Sequence, residues 1–130
     1  KSQIMGRASY EQAVEWGWLW SAYPTMVLTS RKDLVVPDGA DVQFSSKATA
    51  KAITAFAAAT PKRLWVFGGG QVVTAGLLGN AIDTLDLMVM PEAIGSGRPL
   101  FTEDYAAPMR VHETHSYANG SHRIVYDLRP

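Results

Sequence analysis

Apolar residues in this chain form short continuous runs, separated by stretches in which they recur with helical spacing. The runs predict strands at residues 3–5, 25–30, 42–44, 64–67 and 85–90. The spaced stretches predict helices at residues 9–15, 47–59 and 72–78. The uninterrupted run from Leu64 to Phe67 is typical of a strand that is buried on both faces. Alternating strands and helices predict an α/β fold with a mixed, mostly parallel sheet and helices on both of its faces.

The end of the chain follows a different pattern. Two strand-like segments, 109–117 and 122–128, flank the dipeptide Asn119-Gly120. This dipeptide favours the positive φ angles of a tight hairpin turn. We therefore expect a C-terminal antiparallel hairpin beside the mostly parallel sheet.

Three consecutive glycines, Gly68 to Gly70, follow the predicted strand at 64–67 and precede a predicted helix. Glycine reaches positive φ and lets another group approach the backbone closely. Backbone N–H groups at the start of a helix also favour a phosphate. The triplet therefore fits a nucleotide cradle, and it equally fits a sharp strand-to-helix turn that needs glycine for steric reasons alone.

Two further strand ends carry groups that could bind an anion. Ser9 and Gln12 form a possible capping box, so Arg7 would lie beside a helix start as an anion clamp or simply as a surface arginine. The strand at 25–30 ends in hydroxyl groups and is followed by two cations. This combination suits an adenosine that carries an extra phosphate, or a solvated strand end.

Trp16, Trp18 and Trp20 alternate with smaller residues. In an extended segment their rings would share one face. We expect that face to cover the core or a subunit partner, and the alternative is that one ring lines a ligand pocket.

Composition narrows the classes of function. The 130 residues are 47% hydrophobic and 18% charged, which predicts one globular domain. Twelve basic and twelve acidic residues give no net charge, so nucleic acid and anionic membranes are not expected partners. The absence of cysteine and of a long apolar run predicts a cytoplasmic protein. His112 and His115 lie three apart on a predicted strand and should point to opposite faces, so no metal site is expected.

Taken together, the glycine and strand-end motifs resemble the dihydrofolate reductase superfamily. The resemblance is closest to the C-terminal reductase domain of the bifunctional riboflavin-biosynthesis deaminase-reductases, and it covers nearly the whole chain. The segments that carry it are Met5-Gly6-Arg7-Ala8-Ser9-Tyr10-Glu11, Val27-Leu28-Thr29-Ser30-Arg31, Phe67-Gly68-Gly69-Gly70, Ala81-Ile82-Asp83-Thr84-Leu85, Met90-Pro91 and Ile94-Gly95-Ser96-Gly97-Arg98-Pro99-Leu100-Phe101.

The resemblance implies an NADPH-dependent reductase that acts on a small substrate. Three stretches would hold the cofactor: Gly6, Arg7 and Ser9; Leu28, Thr29, Ser30 and Arg31; and Gly68, Gly69, Gly70, Gln71 and Val72. The turn formed by Gly95, Ser96 and Gly97 would lie on the substrate side. Ala8 stands where the family often has Lys or His, so one phosphate contact would be missing.

The family begins with a strand and a helix that precede the Met-Gly-Arg motif and supply much of the substrate pocket. The present chain has only a few residues before Met5, so we expect a single domain over residues 1–130 without this segment, either as a naturally short version or as part of a longer chain in which the segment precedes Lys1. For that reason no catalytic proton donor is predicted. The leading expectation is a reductase, and the alternative is a non-catalytic protein that keeps the fold for nucleotide binding or dimerisation. In either case a homodimer is expected.

Overall fold

The computed structural model describes residues 1–47, 49–60 and 63–128, which contain seven strands and three helices. The strands are β1 (Ser2–Gly6), β2 (Thr25–Leu28), β3 (Val42–Ser45), β4 (Leu64–Gly68), β5 (Thr84–Val89), β6 (Arg110–Ser116) and β7 (His122–Asp127). The helices are α1 (Arg7–Glu15), α2 (Thr49–Ala59) and α3 (Gly70–Leu78). None of these helices combines the length and apolar composition that crossing a bilayer requires. The predicted start of α2 includes position 48, which lies outside the described residues.

Four strands form a parallel sheet in the order β3-β2-β1-β4. Side chains of the central strand β1 alternate between two hydrophobic clusters. Met5 packs with Tyr10 of α1, whereas Ile4 packs with Ile53 of α2 and Val72 of α3. Helices therefore cover both faces of this sheet, and the predicted α/β architecture is confirmed.

The other three strands form an antiparallel sheet in the order β5-β7-β6. The hairpin from β6 to β7 turns at Asn119-Gly120, where Gly120 has a φ of 84°. The backbone N–H of Tyr117 donates to the Ser121 carbonyl at 2.9 Å and closes the turn. The predicted C-terminal hairpin is confirmed, and its strands belong to a sheet separate from the parallel one.

Strand β4 differs from the prediction in its burial. Within the described residues it is hydrogen-bonded only to β1, so it is an edge strand of the parallel sheet. Trp65 is 50% exposed, and the expectation of a strand buried on both faces is wrong. An apolar run does not distinguish a central strand from an edge strand whose aromatic residues pack on one another, as Trp65 does on Phe67.

Helix α1 begins two residues earlier than its predicted cap. Gly6 is the N-cap in an extended conformation, and no side chain caps the first turn. Ser9 therefore lies inside the helix, and the predicted capping box does not form. The reason is that β1 runs directly into α1 without an intervening loop.

The three tryptophans of residues 16–20 do not share a face. Gly17 has a φ of 90° and Trp18 a φ of 47°, so the segment turns back where an extended one was expected. Trp18 is buried with Tyr10, Trp20 packs on Phe67, and Trp16 is exposed. The expectation that all three rings share one face is wrong because Trp16 is exposed, whereas the rings of Trp18 and Trp20 contact each other at a centroid distance of 6.0 Å.

Candidate active site

The three predicted cofactor stretches leave the same edge of the parallel sheet. Strands β2, β1 and β4 are adjacent and parallel, with Gly6 in register with Leu28 and Met5 in register with Gly68. Residues 6–9, 28–31 and 68–72 therefore meet at the carboxyl ends of these strands. In open α/β sheets this edge is where ligands bind.

Two of these stretches are packed closely against each other. A Cβ added at Gly6 would lie 3.1 Å from Cγ2 of Val72, a tight contact that the Val72 side chain could relieve only by shifting a few tenths of an ångström. A Cβ added at Gly69 would lie 3.8 Å from Oγ of Ser9. The starts of α1 and α3 are therefore side by side, and glycine at position 6 favours this close approach.

Both helix starts offer uncapped backbone N–H groups. Gly6 and Gly69 are the N-caps of α1 and α3, and neither helix has a side-chain cap. The Gly69 carbonyl accepts from the N–H groups of Val72 and Val73, which leaves the earlier N–H groups of α3 pointing out of the helix. Two adjacent positive helix ends suit an anion such as a phosphate.

Gly68 is the residue of this turn whose conformation requires glycine. Its φ is 129°, it is buried, and the peptide bond to Gly69 is cis. Val72 and Leu28 have a different role from the other predicted cofactor residues, because their side chains pack in the core cluster around Ile4. At these two positions only the backbone faces the edge of the sheet.

The end of β2 turns sharply toward α1. The Thr29 N–H donates to the Ser45 carbonyl at 2.9 Å, and Oγ1 of Thr29 accepts from the Arg31 N–H at 3.0 Å. Ser30 and Arg31 are exposed. This turn brings the Arg31 guanidinium within 3.4 Å of Glu11 on α1.

The two predicted phosphate-binding arginines belong to one chain of ion pairs. Arg7 Nη1 lies 2.8 Å from Glu11 Oε2, Glu11 Oε1 contacts Arg31, and Arg31 Nε donates to Asp33 Oδ1 at 2.9 Å. The hydrogen bonds from Arg31 hold the pKa of the Asp33 carboxyl below its ordinary value. The sequence interpretation missed both acids, although the four-residue spacing from Arg7 to Glu11 is a helical ion-pair signal.

The predicted substrate-side turn lies close to the triple glycine in the folded chain. An exposed groove is lined by residues 94–99. Just after it, the carbonyls of Pro99 and Leu100 would lie 3.2 and 3.3 Å from a Cβ at Gly70, and the Thr102 N–H donates to Oγ1 of buried Thr74 at 2.9 Å. The segment after the Gly95-Ser96-Gly97 turn is therefore held against the start of α3.

The histidines are arranged differently from the prediction. A bulge between Val111 and Glu113 lets His112 contact Asp127, while Glu113 contacts Arg123. Asp127 and Arg123 are four apart on β7 and share a face, so their partners His112 and Glu113 also lie on that face. His115 follows Glu113 by two residues and therefore points to the same face. The expectation that His112 and His115 point to opposite faces is wrong. In the described part of the chain no three His, Asp or Glu side chains form a group that could hold a metal ion.

Two solved structures closely match the whole chain. A protein provisionally assigned to riboflavin biosynthesis in Shewanella sp. PV-4 superposes with a TM-score of 0.82 at 21% identity, covering 99% of this chain and 74% of its own. A pyrimidine reductase-like protein from Corynebacterium diphtheriae superposes with a TM-score of 0.69 at 16% identity, covering 99% and 76%. The chain has their fold. No family model and no curated protein sequence matches it.

Proposed function

We propose that this protein is an NADPH-dependent reductase that transfers hydride to a small heterocyclic substrate. Candidate substrates are a ribosylaminopyrimidine phosphate of riboflavin synthesis and a dihydropterin. The observation that carries the proposal is that three separate stretches, chosen from the sequence, meet at one edge of the parallel sheet. The names of the two structural neighbours, one linked to riboflavin biosynthesis and one to pyrimidine reduction, support the same class of reaction.

The residues at this edge fit the parts of the cofactor. The uncapped starts of α1 and α3 would hold the pyrophosphate, with Gly6, Arg7, Ser9, Gly69 and Gly70 around it. The turn of Thr29, Ser30 and Arg31 would face the adenosine and its 2′-phosphate. Gly68, Gln71 and the backbone of Val72 would lie toward the nicotinamide.

When bound, NADPH supplies the hydride, and the chain contributes binding, orientation and exclusion of water. The segment after Gly95-Ser96-Gly97 is fixed against Gly70, so it would align a substrate beside the nicotinamide end of the cradle. The proposal assigns no residue as the proton donor.

The first test is a parallel titration with NADPH and NADH, followed through tryptophan fluorescence. Trp20 is a suitable reporter because its ring centroid lies 5.2 Å from that of Phe67, the neighbour of Gly68. Saturable quenching by NADPH supports the proposal. Absence of quenching by both nucleotides, confirmed by calorimetry, contradicts it.

A non-catalytic dimerising protein is the second candidate. It is favoured by large apolar side chains that are exposed at the end of β5, among them Met88, Val89 and Met90. We propose a homodimer for either candidate, and a sedimentation experiment that finds only monomer contradicts it. Oxidation of NADPH in the presence of a pyrimidine or pterin substrate separates the two candidates, because only the reductase turns over.

A further inference from the structure

The Arg31 guanidinium is already occupied by carboxylates on two sides. Nε and Nη2 both donate to Asp33, one to each carboxylate oxygen, and Nη1 lies 3.4 Å from Glu11 Oε1. An arginine has five N–H donors in a fixed fork, and the paired edge formed by Nε and Nη2 is one that matches an oxyanion. In this protein Asp33 fills that edge.

The position of Asp33 is fixed by the fold. The buried Tyr10 of α1 donates its hydroxyl to the Val35 carbonyl at 2.6 Å, two residues beyond Asp33. On the other side, the Arg31 N–H is bonded to Thr29. The backbone that carries both Arg31 and Asp33 is therefore anchored at each end, which keeps the two exposed side chains within reach of each other.

The charges around the proposed 2′-phosphate position largely cancel, because carboxylates pair with both arginines. Glu11 contacts Arg7 through one oxygen and Arg31 through the other, so the side chains alternate in sign from Arg7 to Asp33. The two arginines and two carboxylates of this chain of ion pairs sum to zero, and the adjacent Lys32 adds one positive charge. The site therefore has less attraction for a phosphate than its two arginines alone would supply.

We propose that Asp33 is a specificity-determining residue that competes with the 2′-phosphate of the nucleotide for the guanidinium of Arg31. This inference rests on the proposed function, because it assumes that the adenosine end binds at the carboxyl end of β2. A carboxylate beside the adenosine ribose favours a free 2′-hydroxyl over a 2′-phosphate. The protein consequently discriminates less between NADPH and NADH than an unpaired arginine at position 31 would allow.

The size of the competition follows from the charges and the exposure. A phosphate monoester carries nearly two negative charges at neutral pH, and Asp33 is ionised there like any ordinary aspartate, with its pKa lowered further by the hydrogen bond from Arg31. The side chains of Arg31 and Asp33 are both solvent-exposed, so water screens the repulsion between the Asp33 carboxylate and the 2′-phosphate. We expect a change of about fivefold in affinity when the Asp33 charge is removed.

The test uses two ligands that contain only the adenosine end of the cofactor, adenosine 2′,5′-bisphosphate and adenosine 5′-monophosphate. Calorimetry measures their affinities for the full chain and for the variant Asp33→Asn, which keeps the shape of the side chain and removes its charge. The variant should bind the bisphosphate about fivefold more tightly and the monophosphate unchanged. The matched control is Asp38→Asn in the same loop, since Asp38 makes no ion pair within the described residues.

Several outcomes overturn the inference. Weaker binding of the bisphosphate by Asp33→Asn would make Asp33 an orienting partner of Arg31. Equal changes for both ligands, or the same change in Asp38→Asn, would indicate a general charge effect. If neither the wild-type chain nor either variant binds the bisphosphate, Arg31 holds no phosphate. The proposed function fails separately, if the bisphosphate behaves as expected while NADPH supports no hydride transfer.

Discussion

The parallel and antiparallel sheets are held together by different forces. Strand β1 of the parallel sheet is buried at four of its five positions, between α1 on one face and α2 and α3 on the other. Strand β6 of the antiparallel sheet is exposed at all seven of its positions. In this sheet Leu85 and Val125 are buried, and the exposed cross-strand contacts include ion pairs, such as Arg123 with Asp86 and Glu113.

This difference shows why the candidate site belongs to the parallel sheet. A site that positions a cofactor needs rigid elements beneath its loops, and buried strands provide them. The exposed face of the antiparallel sheet carries surface ion pairs, which stabilise a fold weakly and tolerate substitution. Substitutions in the two sheets should therefore have effects of different size and kind.

The largest expected effect is in the core of the parallel sheet. Ile4 is fully buried and packs with Ile53 and Val72, so Ile4→Ala removes three buried carbon atoms and leaves a cavity. We expect it to lower the free energy of unfolding by about 3 kcal/mol. Urea denaturation followed by circular dichroism measures the change.

The matched variant in the antiparallel sheet is Val111→Ala. Val111 is 55% exposed, and its truncation should cost less than about 0.5 kcal/mol. A loss of stability similar to that of Ile4→Ala would mean that a partner covers β6 in solution. It would contradict the expectation that truncation costs less in the antiparallel sheet than in the parallel sheet.

The second prediction concerns the contact between the triple glycine and the segment that follows the Gly95-Ser96-Gly97 turn. In Gly70→Ala the new methyl group would meet the carbonyls of Pro99 and Leu100, which are backbone atoms and cannot rotate away. We expect a loss of about 1–3 kcal/mol in stability and weaker NADPH binding, measured by urea denaturation and fluorescence titration.

Gly97→Ala is the control for this prediction. Its new methyl group would lie 3.2 Å from Cδ1 of Ile94, the end of an exposed side chain that can move. Stability should therefore change little. If Gly70→Ala is as mild as Gly97→Ala, the segment from Pro99 to Thr102 is not held against α3 as described.

The third prediction compares two arginines with the same surroundings. Arg31 and Arg123 each donate to an aspartate through two nitrogens and also contact a glutamate. Arg31→Ala should weaken NADPH binding about tenfold and leave NADH binding nearly unchanged, because in the proposed site Arg31 contacts the nucleotide only through the 2′-phosphate. Arg123→Ala should affect neither nucleotide, and equal losses in the two variants would contradict the assignment of the phosphate site.

The fold was predictable where local pattern and burial agree. The Asn119-Gly120 turn and the alternation of strands with helices were read correctly from the sequence. The edge position of β4 was not predictable, because strand order depends on pairings between distant segments. The reversal at Gly17 and Trp18 was missed because an alternating pattern was taken for an extended backbone.

The meeting of the site stretches followed from a general rule, since parallel strands end at the same edge. What the sequence interpretation missed were the partners of the arginines. The pairing of Arg7 with Glu11 could have been predicted from their four-residue spacing on a helix. The contact between Glu11 and Arg31 could not, because 20 residues separate them in the sequence. The bulge in β6 was also beyond prediction, because one extra residue in a strand leaves no distinct mark in an exposed, polar segment.

The smallest expected effect is a pH dependence of the antiparallel sheet. Hydrogen bonding from Arg110, aided by the charge of His112, lowers the pKa of the Asp127 carboxyl. A carboxyl whose folded pKa lies below its unfolded value stabilises the fold above the unfolded pKa of about 3.9, and this contribution is lost as the pH falls through the folded pKa. The stability difference between the wild type and Asp127→Asn should therefore be present at neutral pH and shrink in acid. A difference that stays constant over this range would show that Asp127 acts through packing and that its ion pairs do not stabilise this sheet.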